Sequence, residues 1–301
     1  MPMNDIRITR GNFHYTIPAG EHRAAAAKVR SLPKMLETIA QMSQCFIGKP
    51  QFVIEHRGDM ISVFREDYRD RLIALSANTR TEPGKRLSVS EWEVYSKYRG
   101  NEPEGRTITL HDVFSRGGVT IKTGNPLCNN AYEEFYRALF SRCAGIVEAK
   151  SPLGFVFWQD DIHAQKAGLM FYKHINGVDL DRAVGSEADS VLNWALWEAG
   201  KFFSRLINAR LYLEDADRLG NNFIEKNQAN RVFRFLDLER VYPVREYTNE
   251  KKAEMLANFG RRAIERGWLT QEKLGEFIIV GLGVSSTAAG LVRQALEPAF
   301  R

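Results

Sequence analysis

Three side chains in the stretch Leu211–Arg240, LYLEDADRLGNNFIEKNQANRVFRFLDLER, have the types and spacing needed to move a phosphoryl group. Asp217 is followed five residues later by Asn222, which runs directly into the apolar pair Phe223-Ile224. Fifteen residues after Asn222 comes Asp237, at the end of the apolar run VFRFLDL. Phosphoryl transfer leaves a protein little covalent chemistry to perform, so catalysis is mainly positioning and charge neutralisation. One carboxylate must orient the acceptor hydroxyl and take its proton, and Asp217 is the candidate. An amide oxygen and a second carboxylate must hold the Mg²⁺ that bridges the phosphates of ATP. Asn222 and Asp237 supply such hard oxygen donors. A hairpin between them is expected to bring these two close in space.

Two upstream features fit the same chemistry. The run GVTIK ends in Lys122, in the manner of a strand lysine that contacts ATP phosphates. About a dozen residues later an amphipathic segment carries Glu133 and Glu134. Glu134, beside Phe135 on the flank of the apolar face, is the preferred partner for Lys122. The segment GLMFYKHINGVDL reads as a strand running into a hinge and a short helix. Adenine would hydrogen-bond backbone groups near Tyr172, Lys173 and His174 there.

The elements that must position these residues divide the chain. Residues 51–64 read as a hairpin, QFVIEH and MISVF around Arg57-Gly58-Asp59. RLIAL, RTITLHDVF and GVTIK read as further strands. In residues 130–144, Tyr132, Phe135, Tyr136, Leu139 and Phe140 recur at helical spacing on one face. GFVFW and GLMFY read as strands. A long helix is expected over 188–208, with Val191, Ala195, Ala199, Phe202 and Leu206 on one stripe. Helices are also expected over 250–266 and 271–282. Within residues 1–48 a helical stretch is expected to be interrupted at Pro33, whose missing N–H breaks or restarts a helix. The result is an α+β chain with a partly helical N-terminal extension over 1–48, a β-rich N-lobe over 49–175 and a helical C-lobe over 176–301.

The succession VTIK, glutamate-bearing helix, SPLGF, MFYKHINGVDL, D-x4-N-F-I and LDLER resembles the lipopolysaccharide kinase family, which includes Kdo kinases and core heptose kinases. The resemblance covers about residues 106–282. It implies a two-lobed protein-kinase-like fold, ATP and Mg²⁺ as cofactors, and an acceptor hydroxyl on a lipopolysaccharide sugar. It also implies that Asp237 lies in an Asp-apolar-x-Arg context, which Asp237-Leu238-Glu239-Arg240 matches. Two departures stand out. The catalytic loop reads Asp215-Ala216-Asp217 where His-x-Asp is the family pattern. No G-x-G-x-x-G run is present, although Gly100 and Gly105 could close over phosphates between two strands. These departures keep open a nucleotide-binding module without turnover, and related folds phosphorylate proteins.

Bulk properties exclude other classes. Hydrophobic residues make up 44 % and charged residues 26 %, enough for an ordinary core. The longest apolar run, around Phe277–Leu282, is far shorter than the roughly 18–20 residues of a membrane span. The N-terminus has no apolar secretory core, and three dispersed cysteines argue against a disulfide framework. A cytoplasmic location is expected. The net charge of +5 suits nucleotide and peripheral contact with an anionic membrane surface. Nucleic acid is disfavoured, because aromatic residues do not alternate with basic ones.

Overall fold

The computed structural model describes residues 6–10, 13–17, 32–45, 51–57, 60–78, 94–96, 107–110, 118–123, 131–158, 169–227, 230–236, 238, 240–283 and 286–300. The chain divides into two compact units. One comprises Val29–Cys143 and Lys150–Ile175, and the other Met1–Lys28, Ala144–Ala149 and Asn176–Arg301.

The first unit is built on a seven-stranded antiparallel sheet. In chain order its strands are β3 (Phe52–Arg57), β4 (Met60–Arg65), β5 (Val94–Ser96), β6 (Thr107–Leu110), β7 (Val119–Thr123), β8 (Pro152–Trp158) and β9 (Leu169–Lys173). In space they run β3-β4-β8-β9-β7-β6-β5. Helix α3 (Ala131–Cys143) lays its apolar stripe on the sheet. Phe135, fully buried, meets Phe52 and Phe155 edge-on at centroid distances of 5.4 and 4.9 Å. Gly154 is required where β8 crosses β4, because a Cβ there would stand 2.3 Å from the Val63 carbonyl oxygen.

Helices α1 (Leu32–Cys45) and α2 (Arg69–Asn78) complete this unit. Pro33 restarts the chain as α1, one of the two outcomes expected of it, since its missing N–H falls in the first turn where no partner is needed. The strand expected at RLIAL is corrected. RLIAL lies within α2, where Leu72 and Ile73 are buried. A five-residue apolar run does not distinguish the two periods, and the acidic first turn at Asp70 favours the helix. The Ala24–Ala27 stretch lies outside the described residues.

The second unit is mainly helical. It contains α4 (Leu180–Ala183), α5 (Asp189–Asn208), α6 (Asn249–Glu265), α7 (Gln271–Leu282) and α8 (Ser286–Leu296). The expected stripe of α5 is buried throughout, and Phe202 stacks on Phe235 at 4.9 Å. Phe259, Phe277 and Trp268 continue this aromatic core, and the Trp268 indole N–H donates to the Leu192 carbonyl at 2.8 Å. Neither α8 nor a two-stranded sheet, β1 (Ile6–Arg10) with β2 (Phe13–Ile17), was legible in the sequence. Glu148 anchors the short Ala144–Ala149 segment, accepting from Arg205 of α5 with its Nε at 2.8 Å.

Small sheets in this unit hold the residues of interest. β10 (Gly177–Asp179), β12 (Asn222–Asn227) and β13 (Asn230–Phe235) form one antiparallel sheet. β11 (Leu211–Leu213) pairs with β14 (Val241–Pro243). Gly177 lets β10 approach β12, since a Cβ there would lie 2.1 Å from the Ile224 carbonyl oxygen.

Candidate active site

The loop from β11 to β12 carries Asp217 and Asn222, and buried neighbours fix its path. Ala216 and Leu219 are each 1 % exposed, pinning the loop from below. The Arg218 amide donates to the Asp215 carbonyl at 3.3 Å and the Leu219 amide to the Asp217 carbonyl at 3.1 Å. These bonds wind the chain into a 3₁₀ turn over Leu219–Asn221 that delivers Asn222 to the start of β12.

The two polar side chains then differ sharply. Asp217 is exposed and its carboxylate has no partner among the described residues. Asn222 is buried; its Nδ2 donates to the Arg218 carbonyl at 3.1 Å, whereas its Oδ1 is buried with no hydrogen-bond partner among the described residues. A buried acceptor without a donor costs free energy unless something fills it. A hard cation on Oδ1 would do so, and the anchored Nδ2 fixes which amide atom is offered. This donor fits the Mg²⁺ expected at the site. The register of the hairpin sets Asn222 opposite Phe235, two residues before Asp237. Asp237 itself lies outside the described residues. Among the described residues no cluster of three His, Cys, Asp or Glu side chains could hold a metal.

Asp215, at the histidine position of the expected loop pattern, is a loop-shaping carboxylate. It is 9 % exposed, with Oδ2 3.4 Å from the Arg240 Nε and 3.5 Å from the Arg218 Nε. Arg240 also approaches Glu214 at 3.5 Å, and the Glu214 amide donates to the Arg240 carbonyl at 3.2 Å. An ion pair thus ties the loop to the segment after β13. Arg240 is paired with acids, as its position suggested.

Asp217 opens onto a cavity of about 720 Å³ lined also by Asp181, Asn258, Arg261 and Arg262. The Arg262 guanidinium is held above its ordinary range by its hydrogen bond to Glu265 and by the charges of Glu265, Asp181 and Asp217. Asp181, which the sequence reading did not single out, pairs with Arg266 at 3.1 Å. Its only sequence signal is its place just after Asp179, which caps α4 by accepting from the Arg182 amide at 2.9 Å.

In the sheet-bearing unit, Lys122 lies in β7 between Thr107 of β6 and Met170 of β9. Its side chain is not among those described, so the expected Lys122–Glu134 pair lies outside the described residues. Glu134 is buried in a salt bridge with Lys150, a residue absent from the sequence reading. Residues 97–106, with Gly100 and Gly105, connect the antiparallel pair β5 and β6 and also lie outside the described residues.

The strand expected to meet adenine is β9. The Lys173 amide donates to the Ser151 carbonyl at 3.0 Å and the His174 amide to the Gly118 carbonyl at 2.9 Å. The His174 Nδ1 lies 3.1 Å from the Thr120 hydroxyl. Both amides are therefore engaged within the unit.

Comparison with solved structures gives the fold. A structure of WaaP in complex with acyl carrier protein matches with a TM-score of 0.54 at 18 % identity, covering 79 % of this chain and 97 % of that chain. A kinase domain of Mycobacterium tuberculosis PknI matches with a TM-score of 0.39 at 10 % identity, covering 73 % of this chain and 99 % of that domain. No family model and no curated protein sequence matches. The chain has the α+β, protein-kinase-like fold that WaaP has.

Proposed function

We propose that this chain is an ATP- and Mg²⁺-dependent phosphotransferase acting on an acceptor hydroxyl. The observation that carries the reading is the pair of opposite side-chain states on one loop. The carboxylate of Asp217, without a partner among the described residues, faces a cavity, and the buried Oδ1 of Asn222 lacks a donor among those residues. Asp217 takes the proton of the acceptor hydroxyl as its oxygen bonds to the γ-phosphorus. The bond from that phosphorus to the β–γ bridging oxygen breaks, and ADP leaves. Asn222 and Asp237 would hold the metal, which when bound would neutralise phosphate charge. Lys122 and Glu134 position the phosphates, and backbone groups near Tyr172, Lys173 and His174 bind adenine.

The cavity beside Asp217 is within the range of about 300–1,000 Å³ typical of small-molecule sites. Together with the fold shared with WaaP, it favours a lipopolysaccharide sugar as acceptor. The net charge of +5 suits work at an anionic membrane surface, the cytoplasmic face of the inner membrane. Among the described residues no helix is long and apolar enough to cross a membrane.

The test is transfer of radiolabelled γ-phosphate from ATP to deacylated lipopolysaccharide core sugars. The wild type transfers label, and Asp217→Asn loses at least about a hundredfold in rate, a size typical for a general base, while keeping nucleotide affinity. Equal rates in both would remove Asp217 from the chemistry. Mg²⁺-dependent nucleotide binding without transfer to any hydroxyl acceptor would favour the second reading, a binding module without turnover, for which the replaced histidine speaks.

A further inference from the structure

We propose that Lys150 is a positioning residue for nucleotide binding, linking the carboxylate of α3 to the strand that meets adenine. This rests on the phosphotransferase reading. Lys150 precedes β8, and its side chain is 1 % exposed; that of Glu134, with which it pairs, is 3 % exposed. The same ammonium stands 4.5 Å from the centroid of the Tyr172 ring. Tyr172 lies in β9 opposite Pro152 of β8 and Thr120 of β7. A single desolvated cation therefore touches both α3 and β9, and β7 carries Lys122.

The Glu134 carboxylate sits beside Phe135, itself wedged between two other rings, and faces the Lys150 ammonium where water screens little. Lys150 is too enclosed to meet phosphate in this arrangement, so its effect passes through Glu134. Stability alone gives a weak reason for such a pair, because apolar residues of similar volume usually pack as well. The pair does fix the height of α3 against the sheet, which sets where Glu134 stands relative to β7. The ring contact with Tyr172 adds a cation–π attraction that a neutral side chain lacks.

The experiment is calorimetric titration of the full chain with ATP and Mg²⁺, for the wild type, Lys150→Met, Lys150→Arg, Glu134→Gln and the Lys150→Met/Glu134→Gln double variant, each first checked for native circular dichroism. Loss of a charged hydrogen-bond partner is expected to weaken binding at least about tenfold in Lys150→Met. Lys150→Arg stays within about threefold. The double variant is no weaker than the worse single one, as expected of residues acting as one unit. A folded Lys150→Met that binds as the wild type does would overturn the proposal and leave the phosphotransferase reading standing. A wild type that binds no nucleotide would overturn both. Should Lys150→Met not fold, hydrogen exchange of the wild type decides. The proposal expects ATP and Mg²⁺ to slow exchange in β9, in α3 and around Lys150 together, and protection confined to β9 would refute it.

Discussion

Replacing Lys150 by Met would take from Glu134 the ammonium with which it forms a buried salt bridge. Both side chains are almost fully enclosed, so the variant loses the counter-charge of a buried carboxylate, a loss that proton uptake can cap. Protonation is the cheaper choice and sets the size of the effect. Relative to an unfolded glutamate titrating near 4.3, taking up that proton costs about 3.7 kcal/mol at pH 7 and about 1 kcal/mol at pH 5. In this window the folded variant binds more protons than the unfolded chain, so its stability falls as pH rises. Urea unfolding at pH 5, 6 and 7, followed by circular dichroism, measures the difference between the wild type and the variant. The Lys150→Met/Glu134→Leu variant removes both charges and should unfold within about 2 kcal/mol of the wild type at each pH, since an apolar pair often replaces a buried ion pair without loss. A Lys150→Met loss below about 1 kcal/mol at pH 7, or one that does not change with pH, would refute the reasoning that the pair is desolvated.

Asn222→Ala removes one hydrogen bond and one orphaned acceptor, so urea unfolding should shift by no more than about 1 kcal/mol, whereas the Mg²⁺ concentration needed for ATP binding in a titration should rise at least about tenfold. Asp215→Ala breaks the contacts with Arg218 and Arg240; with Arg240 partly solvated, a loss of about 1–2 kcal/mol is expected in the same unfolding assay. Gly177→Ala drives a methyl group into the Ile224 carbonyl, and overpacking of about 1–3 kcal/mol should appear as a lowered Tm with β10 exchanging its amides faster. Burial pushes the Tyr136 hydroxyl up to about 12 and raises Tyr247 further, chiefly by desolvation. Their neutral forms stabilise the fold fully below pH 10 and lose that contribution as pH rises through the folded values. Absorbance titration near 295 nm should therefore show these tyrosines ionising only with unfolding.

The elements with long, regular patterns were legible in the sequence. The stripe of α5 buries as its periodicity requires, as do Phe135, Leu139 and Phe140 of the α3 face, and the strands SPLGFVFW and LMFYK stand where apolar, β-branched runs placed them. Short runs were not, because five apolar residues fit either period. RLIAL entered a helix for that reason. On the loop, Asp217 and Asn222 could be found because their spacing is local and the loop is one continuous piece of chain. Lys150 could not. Its partners Glu134 and Tyr172 lie 16 and 22 residues away, and a lysine before a strand ordinarily reads as solvated. Asp215 shows the converse: its departure from His-x-Asp was visible, but the arginine that gives it a structural role arrives from β14's approach, 25 residues on.

Thermal unfolding of the wild type, Asn222→Ala and Asp237→Ala, each with ATP alone and with ATP plus Mg²⁺, tests the central claim most directly. A ligand that binds only the folded state raises Tm by mass action. The metal-bound nucleotide site calls for a rise in the wild type that requires Mg²⁺ and that both substitutions abolish or strongly reduce. No rise at saturating nucleotide, or an equal rise in all three proteins, would contradict it.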